Sequence, residues 1–171
     1  MTNFKEIVTK AVIGKGKKNL IDSYVVETEE IPNTVLGCWV INHKFNGVKN
    51  GENILVSGNF DINIWYSYDN DTKTGVSTKK FNYQENLKVK INESSKLTDE
   101  CDIIVRQLKQ PAVTDVKIDN EAVKLNVEKE LGIEVVGDTL VKVSIEDEMD
   151  DYEDIEDLDQ VIDSEVTDDY I

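Results

Sequence analysis

Residues 54–68 read ILVSGNFDINIWYSY, with apolar side chains at the even-numbered positions and polar side chains at most of the odd-numbered ones. Successive side chains of a β-strand point to opposite faces, so this period of two predicts a strand with one buried and one wet face. The phase is the same on both sides of Gly58, whereas one inserted residue would exchange the faces. We therefore predict one long bent strand, closely approached by another part of the chain at Gly58.

The rest of the chain up to residue 145 repeats this strand pattern and shows no sustained apolar stripe with helical spacing. The further runs are 7–12, 20–28, 35–45, 76–83, 87–91, 103–108, 113–118, 123–127, 133–136 and 140–145. The links between them carry residues typical of hairpin turns, namely Asn46-Gly47, Asn50-Gly51, Asp69-Asn70-Asp71, Asp119-Asn120 and Gly137-Asp138. About nine short strands joined in this way predict an all-β protein, an antiparallel β-sandwich in preference to an open barrel.

The negative charge is concentrated at the C-terminal end. The chain of 171 residues has a net charge of −16, and residues 146–171 contain 14 acidic residues and no Lys or Arg. Residues 1–145 carry the 19 basic residues and are nearly neutral. Repulsion between carboxylates disfavours independent folding, and the interspersed apolar residues suggest ordering on a partner, so we predict a β-sandwich domain over 1–145 and a disordered, partner-binding acidic tail over 146–171. The alternative for the tail is a solubilising segment without a specific partner.

Composition excludes several classes of protein. The longest apolar run, residues 35–41, is far shorter than the ~20 residues of a membrane-spanning helix. The N-terminus has no secretory signal pattern, so we expect a cytosolic protein without membrane insertion. A nearly neutral body with an acidic tail does not neutralise phosphates, which argues against nucleic-acid binding. Two cysteines, Cys38 and Cys101, are expected to be free, buried thiols.

No catalytic, metal or cofactor site is predicted. Gly14-Lys15-Gly16 lacks the remaining residues of a phosphate-binding loop and is interpreted as a turn. His43 is the only histidine, and in a regular strand Cys38 and His43 point to opposite faces, which disfavours a zinc site. A hydrolase would require a concave pocket that gathers groups such as Asp61, His43 and Glu52.

Aromatic residues are the remaining candidates for a functional surface. Trp39, Tyr66 and Tyr68 are expected in the core, whereas Trp65 interrupts the wet face of its strand. Trp65 is therefore covered by another element of the chain, contacts a protein, or stacks on a sugar. As candidate protein-contact residues we select Trp65, Trp39 and His43.

Several segments together resemble a known family. They are EIVTKAV at residues 6–12 with Gly14-Lys15-Gly16, LGCWVINHK at 36–44, DINIWYSY at 61–68 followed by TKT at 72–74, Gln110-Pro111, and EVVG at 134–137. In order and spacing they resemble the outer spore coat morphogenetic protein CotE family of endospore-forming bacteria. The resemblance spans essentially the whole chain.

The resemblance implies a non-enzymatic assembly protein without a cofactor, made in the mother cell. Family members self-associate around the forespore, are placed there through the basement layer of the coat, and recruit outer-coat proteins through the C-terminal region. The implied locations are the mother-cell cytoplasm at the forespore surface and then the spore coat. The candidate client-binding residues in the tail are Asp150, Asp151, Tyr152, Glu153, Asp154, Ile155, Glu156, Asp157 and Leu158.

Three functional hypotheses follow. The first is a self-assembling coat scaffold whose polymer displays many tails, so that weak single contacts add up. The second is a carbohydrate- or peptidoglycan-binding module that uses Trp65. The third is a chaperone with an acidic tail that binds basic proteins without selectivity.

Overall fold

The computed structural model describes residues 3–145. The tail predicted to be disordered, residues 146–171, lies outside the described residues, so that prediction and the predicted domain boundary remain predictions. The chain divides into two units, of which one contains Val8–Leu140 and the other contains the two ends, Met1–Ile7 and Val141–Ile171. Among residues 3–145, no helix is long and apolar enough to cross a membrane.

Seven β-strands account for most of the described residues, and they form two antiparallel sheets. The strands are β1 (Asn3–Glu27), β2 (Thr34–Asn50), β3 (Asn53–Tyr68), β4 (Lys73–Lys88), β5 (Lys90–Ile91), β6 (Asp102–Asp119) and β7 (Ala122–Ile145). One sheet has the strand order β5-β1-β7-β6 and the other has the order β2-β3-β4. The predicted all-β sandwich is confirmed.

The core of the larger unit lies between the two sheets. The even-numbered apolar residues of β3, from Ile54 to Tyr66, are almost fully buried, as the period of two predicted. The odd-numbered residues of β7, from Val123 to Val135, form the facing row. The ring of Tyr83 lies against Gly58, where an added Cβ would come within 2.7 Å of Tyr83 Cε1. The close approach predicted at Gly58 is therefore confirmed.

The prediction of about nine strands is wrong because several links between the predicted runs remain extended, among them three glycine-bearing segments interpreted as turns. Gly14-Lys15-Gly16 continues β1, Asn46-Gly47 continues β2, and Gly137-Asp138 continues β7. The glycines serve close packing there. A Cβ at Gly47 would lie 2.5 Å from Val105 Cγ2 of the other sheet, and a Cβ at Gly16 would lie 2.5 Å from the Lys88 carbonyl oxygen. The shorter runs in β1, β6 and β7 are thus parts of longer strands.

The other three predicted turns are confirmed. Gly51 lies between the paired residues Asn50 and Asn53 and has φ of 62°. The segment 69–71 joins β3 to β4 with positive φ at all three residues, a conformation that Asp and Asn tolerate better than most side chains. Asn120 and Glu121 join β6 to β7, also with positive φ.

Strand β2 contains two register shifts that its sequence pattern did not show. Val35 is paired with Tyr66 while Gly37 is paired with Trp65, and Ile41 is paired with Asp61 while Lys44 is paired with Asn59. At each shift β2 has one residue more than β3, so the side chains that follow exchange faces.

The smaller unit contains the outer ends of β1 and β7. Among its described residues, Phe4, Ile7, Val141 and Val143 are exposed apolar side chains. Lys142 Nζ lies 3.7 Å from Glu6 Oε1, an ion pair between exposed side chains that contributes little to stability.

Candidate functional site

The two tryptophans lie together on the outer face of the three-stranded sheet. Trp65 is 49% exposed and Trp39 is 39% exposed, with ring centroids 6.0 Å apart and planes tilted by 51°. The expectation that Trp39 belongs to the core is wrong. Trp39 is paired with Asn63, which belongs to the outward row of β3, because the first register shift of β2 reverses its faces.

Neighbouring apolar side chains extend this surface. Val76 of β4 is paired with Trp65 and is 57% exposed, and Ile41 lies two residues beyond Trp39 on the same side of β2. A Cβ at Gly37 would lie 2.8 Å from Trp39 Cζ3, so the absent side chain leaves room for the indole. We call Trp39, Ile41, Trp65 and Val76 the tryptophan face. Within residues 3–145 the two indoles contact each other but are not covered, so a contact with a protein and stacking on a sugar both remain open for Trp65.

His43 lies on the inner side of the same sheet. The second register shift of β2 turns it towards the core, where its ring centroid is 6.3 Å from that of Phe60. Cys38 also packs against the core, so the prediction that Cys38 and His43 point to opposite faces, which assumed a regular strand, is wrong. The three candidate protein-contact residues therefore do not form one site, and a contact role for His43 remains a prediction.

The side chain of His43 links the two sheets through hydrogen bonds. In the neutral tautomer that fits its partners, Nδ1 donates to Gln107 Oε1 at 2.6 Å and Nε2 accepts from the Tyr83 hydroxyl at 2.6 Å. Burial, together with the nearby charge of Lys129, lowers the pKa of His43 from 6.5 despite the opposing bond to Gln107. Burial raises the pKa of Tyr83 to about 12. Both groups are therefore neutral near pH 7, as this pair of hydrogen bonds requires.

Lys129 is a buried charged residue that the sequence analysis missed. It is 0% exposed, and its Nζ lies 4.2 Å from the centroid of the Tyr83 ring and 3.3 Å from Asp22 Oδ2. The signal was present in the sequence, because the odd-numbered apolar positions of β7 have the same phase before and after residue 129. Lys129 therefore had to lie in the buried row.

These interior groups connect the two sheets. His43 and Tyr83 belong to one sheet, whereas Gln107 and Lys129 belong to the other. Asp61 lies in the outward row of β3, where its Oδ2 accepts a 3.0 Å hydrogen bond from Asn42 Nδ2. Asp61 and His43 therefore face opposite sides of the three-stranded sheet. A hydrolytic site that used both side chains would need them on the same side.

Among residues 3–145, no group of three or more His, Cys, Asp or Glu side chains has a geometry that could hold a metal ion. Cys38 and Cys101 are free and half-buried, and burial raises the pKa of Cys38 to about 11, which keeps its thiol protonated near pH 7. The candidate client-binding residues 150–158 lie outside the described residues.

The fold and the exposed indoles define an all-β protein whose most distinctive surface is apolar and aromatic. A family model described as "Outer spore coat protein E (CotE)" matches residues 3–170. The chain therefore belongs to the outer spore coat protein E family and is a spore coat protein, as its sequence resemblance predicted. No curated protein and no solved structure matches the chain.

Proposed function

We propose that this chain is a non-enzymatic morphogenetic scaffold of the spore outer coat. It self-assembles around the forespore from the mother-cell cytoplasm and recruits outer-coat proteins, and it neither binds nucleic acid nor inserts into membranes. Its partners are further copies of itself and proteins of the basement layer and the outer coat. Membership of the spore coat family supports the location, and the tryptophan face supports the assembly role.

The observation that carries the proposal is the exposure of both indoles on one face. Tryptophan is among the residues most enriched in the centres of protein interfaces, because it buries a large area at a small cost in conformational entropy. Contiguous exposed apolar side chains on a soluble domain mark an interaction surface more often than isolated ones do. Trp39, Ile41, Trp65 and Val76 come from all three strands of the sheet, so they present a continuous surface to a partner.

The acidic tail supplies the recruiting function in this proposal. A layer of assembled copies displays many tails, each with 14 acidic residues and interspersed apolar side chains. A basic client that spans several copies binds more tightly than one tail alone would allow. Because exposed charges are screened over about 10 Å at 0.1 M salt, client capture should weaken as the salt concentration rises.

The assembly is tested with the full chain by sedimentation velocity and electron microscopy over a range of protein concentrations. We expect large, concentration-dependent particles, which Trp39→Ser combined with Trp65→Ser reduces to small species. The matched control is Ile21→Ser with Leu140→Ser, which removes two exposed apolar side chains outside the tryptophan face and should leave the particles unchanged. A monodisperse monomer at high concentration of the unmodified chain would refute self-assembly.

Recruitment is tested separately by deletion of residues 146–171. We expect the truncated chain to lose capture of basic outer-coat proteins while circular dichroism reports the same strand content. Equal capture by the full and truncated chains would remove the tail from the proposal. Capture of any cationic protein by a small soluble oligomer would instead favour the acidic-tail chaperone.

The exposed indoles also favour a second candidate function, a carbohydrate- or peptidoglycan-binding module. Aromatic rings stack on the apolar faces of sugars, and a pair of indoles 6.0 Å apart offers two adjacent rings. In that case Trp65→Ala abolishes binding to purified peptidoglycan without changing particle size. Under the scaffold proposal the same variant changes particle size, and neither the variant nor the unmodified chain binds peptidoglycan.

A further inference from the structure

Four exposed lysines lie near the β5 edge of the four-stranded sheet: three belong to β1 and β5, and the fourth, Lys88, is the last residue of β4 in the other sheet. Lys15 of β1 is directly paired with Lys90 of β5. Lys17 follows two residues after Lys15 on the same face of β1, and Lys88 precedes Lys90 by two residues. A Cβ at Gly16 would lie 2.5 Å from the Lys88 carbonyl oxygen, so the two segments are in close contact. We call Lys15, Lys17, Lys88 and Lys90 the lysine cluster.

The lysine cluster lacks acidic partners in the described part of the chain. No carboxylate among residues 3–145 lies within 4.0 Å of any of its four ammonium groups, whereas the adjacent Lys18 is paired with Glu85 at 3.8 Å. Like charges directly opposite each other on neighbouring strands destabilise a sheet. An anion bound at this edge would relieve the repulsion between Lys15 and Lys90.

A groove adjoins the cluster and has an apolar floor. Its volume is about 410 Å³, and Lys15 and Lys17 line one side of it. Leu108 is 51% exposed and lies across Gly132, where an added Cβ would be 2.8 Å from Leu108 Cδ1. Arg106 also lines the groove and is paired with Glu134 at 3.2 Å. The groove therefore offers positive charge beside an exposed leucine, which suits an acidic segment with spaced apolar side chains.

We propose that the lysine cluster and its groove bind part of the acidic segment, residues 146–171, of a second copy of the chain, which leaves the other carboxylates of that segment accessible to clients. The charges are complementary, because that segment has 14 acidic residues and no basic one. Its apolar residues Tyr152, Ile155 and Leu158 are spaced among the acids, so one of them can contact Leu108 while neighbouring carboxylates reach the lysines.

This contact adds to the proposed self-assembly a property that the tryptophan face alone lacks. A surface that pairs with its own copy in a two-fold arrangement closes a dimer. A groove on one copy that takes the tail of the next joins two different surfaces, and such head-to-tail contacts continue without limit unless they close into a ring. The inference rests on the proposed self-assembly for this biological role, but the binding itself is measurable without it.

The site is located with full-length chains. A mixture of heavy-isotope and light-isotope protein is treated with a carbodiimide, which joins contacting lysine and carboxylate side chains, and crosslinked peptides are identified by mass spectrometry. We expect tail carboxylates to be joined mainly to Lys15, Lys17, Lys88 and Lys90, in pairs of mixed isotope. An even distribution over all exposed lysines, such as Lys44 and Lys117, would overturn the proposal. Pairs of one isotope only would also overturn it, since the tail would then bind its own copy.

Affinity is measured with a fluorescent peptide of residues 146–171 added to full-length variants. Lys15→Glu with Lys90→Glu should weaken peptide binding by about tenfold or more, as expected for lost charge-assisted contacts. The control, Lys44→Glu with Lys117→Glu, lowers the net charge equally and should change binding less than about twofold, an effect of long-range charge alone. Equal weakening by both variants would overturn the site and leave only general attraction between opposite charges.

The thermal unfolding midpoint shows whether a variant that loses peptide binding is still folded. Lys90→Glu alone places an acidic side chain opposite Lys15, so its thermal unfolding midpoint should equal or exceed that of the unmodified chain while peptide binding falls. If peptide binding is retained in this variant, the lysines only protect the sheet edge from association, and the proposal fails. If the Trp39→Ser, Trp65→Ser variant forms the same particles as the unmodified chain but the peptide binds at the cluster, this inference stands and the tryptophan contact fails.

Discussion

Replacing Lys129 with methionine tests whether the buried ammonium group stabilises the fold. The side chain of Lys129 is 0% exposed, and its closest favourable contacts are with Asp22 Oδ2 at 3.3 Å and with the Tyr83 ring at 4.2 Å from its centroid. Methionine has a similar length and no charge, so the substitution removes both contacts together with the cost of burying the ammonium group.

The opposing free energies are similar in size. At an effective dielectric constant of about 20, two unit charges 3.3 Å apart attract by about 5 kcal/mol. A desolvated cation over an aromatic ring adds about 2 kcal/mol. Removing the ammonium group and part of the carboxylate from water costs several kcal/mol per ion. We therefore expect Lys129→Met to leave the free energy of unfolding unchanged or to raise it by about 1–2 kcal/mol.

Removing the other partner should have the opposite effect. Asp22→Ala leaves the ammonium group of Lys129 buried without its carboxylate, so it should lower the free energy of unfolding by about 2–3 kcal/mol. This value lies below the roughly 3–5 kcal/mol of a fully buried broken pair, because the Asp22 side chain is 40% exposed and water partly replaces it. In the Lys129→Met background the same substitution should cost less than about 0.5 kcal/mol, as usual for a surface site.

The assay is urea denaturation of the unmodified chain, the two single variants and the double variant. All four are measured at one protein concentration, because association shifts apparent stability by mass action. A loss of more than about 3 kcal/mol for Lys129→Met would refute the reasoning, since the attraction would then exceed the cost of desolvation.

Three further predictions follow from the interior. Because folding lowers the pKa of His43, the free energy of unfolding should be constant just above pH 6.5 and should fall as the pH drops below 6.5. In urea titrations at several pH values, His43→Gln should reduce this dependence of the free energy of unfolding on pH. Gly58→Ala should lower the free energy of unfolding by about 2 kcal/mol or more, because its Cβ would overlap the Tyr83 ring, and an unchanged denaturation midpoint would contradict that contact. Burial raises the pKa values of Tyr24, Tyr66 and Tyr83 to about 12, so absorbance titration should show that these tyrosines ionise at a higher pH than free tyrosine does. The free energy of unfolding should therefore fall as the pH rises from 10 towards 12.

The strand positions were predictable wherever the period of two is uninterrupted. In β3 the burial of alternate residues follows the sequence from Ile54 to Tyr66 without exception, apart from Gly58, which has no side chain. In β7 the same period continues through Lys129, but a lysine in the apolar row made one strand look like separate runs. A buried charge depends on partners from distant strands, here Asp22 and Tyr83, which a local pattern does not contain.

Turns and strand faces were harder to predict. For turns, the reason is that glycine serves both in turns and in close packing within strands. Gly47 and Gly51 both follow an asparagine, yet Gly51 has positive φ in a turn while Gly47 makes room for Val105 within a strand. The two register shifts of β2 decide that Trp39 faces outwards and His43 inwards. Such shifts are set by the pairing with β3, so the sequence of β2 alone did not reveal them.

The placement of Trp39 and Trp65 has a practical consequence, because the chain contains no other tryptophan. All indole emission of the protein originates from one outer surface of the smaller sheet. Its wavelength maximum and its accessibility to a soluble quencher such as iodide therefore report directly on whether that surface is wet or covered. The protein thus carries a native optical probe at the place where contact with other molecules is proposed.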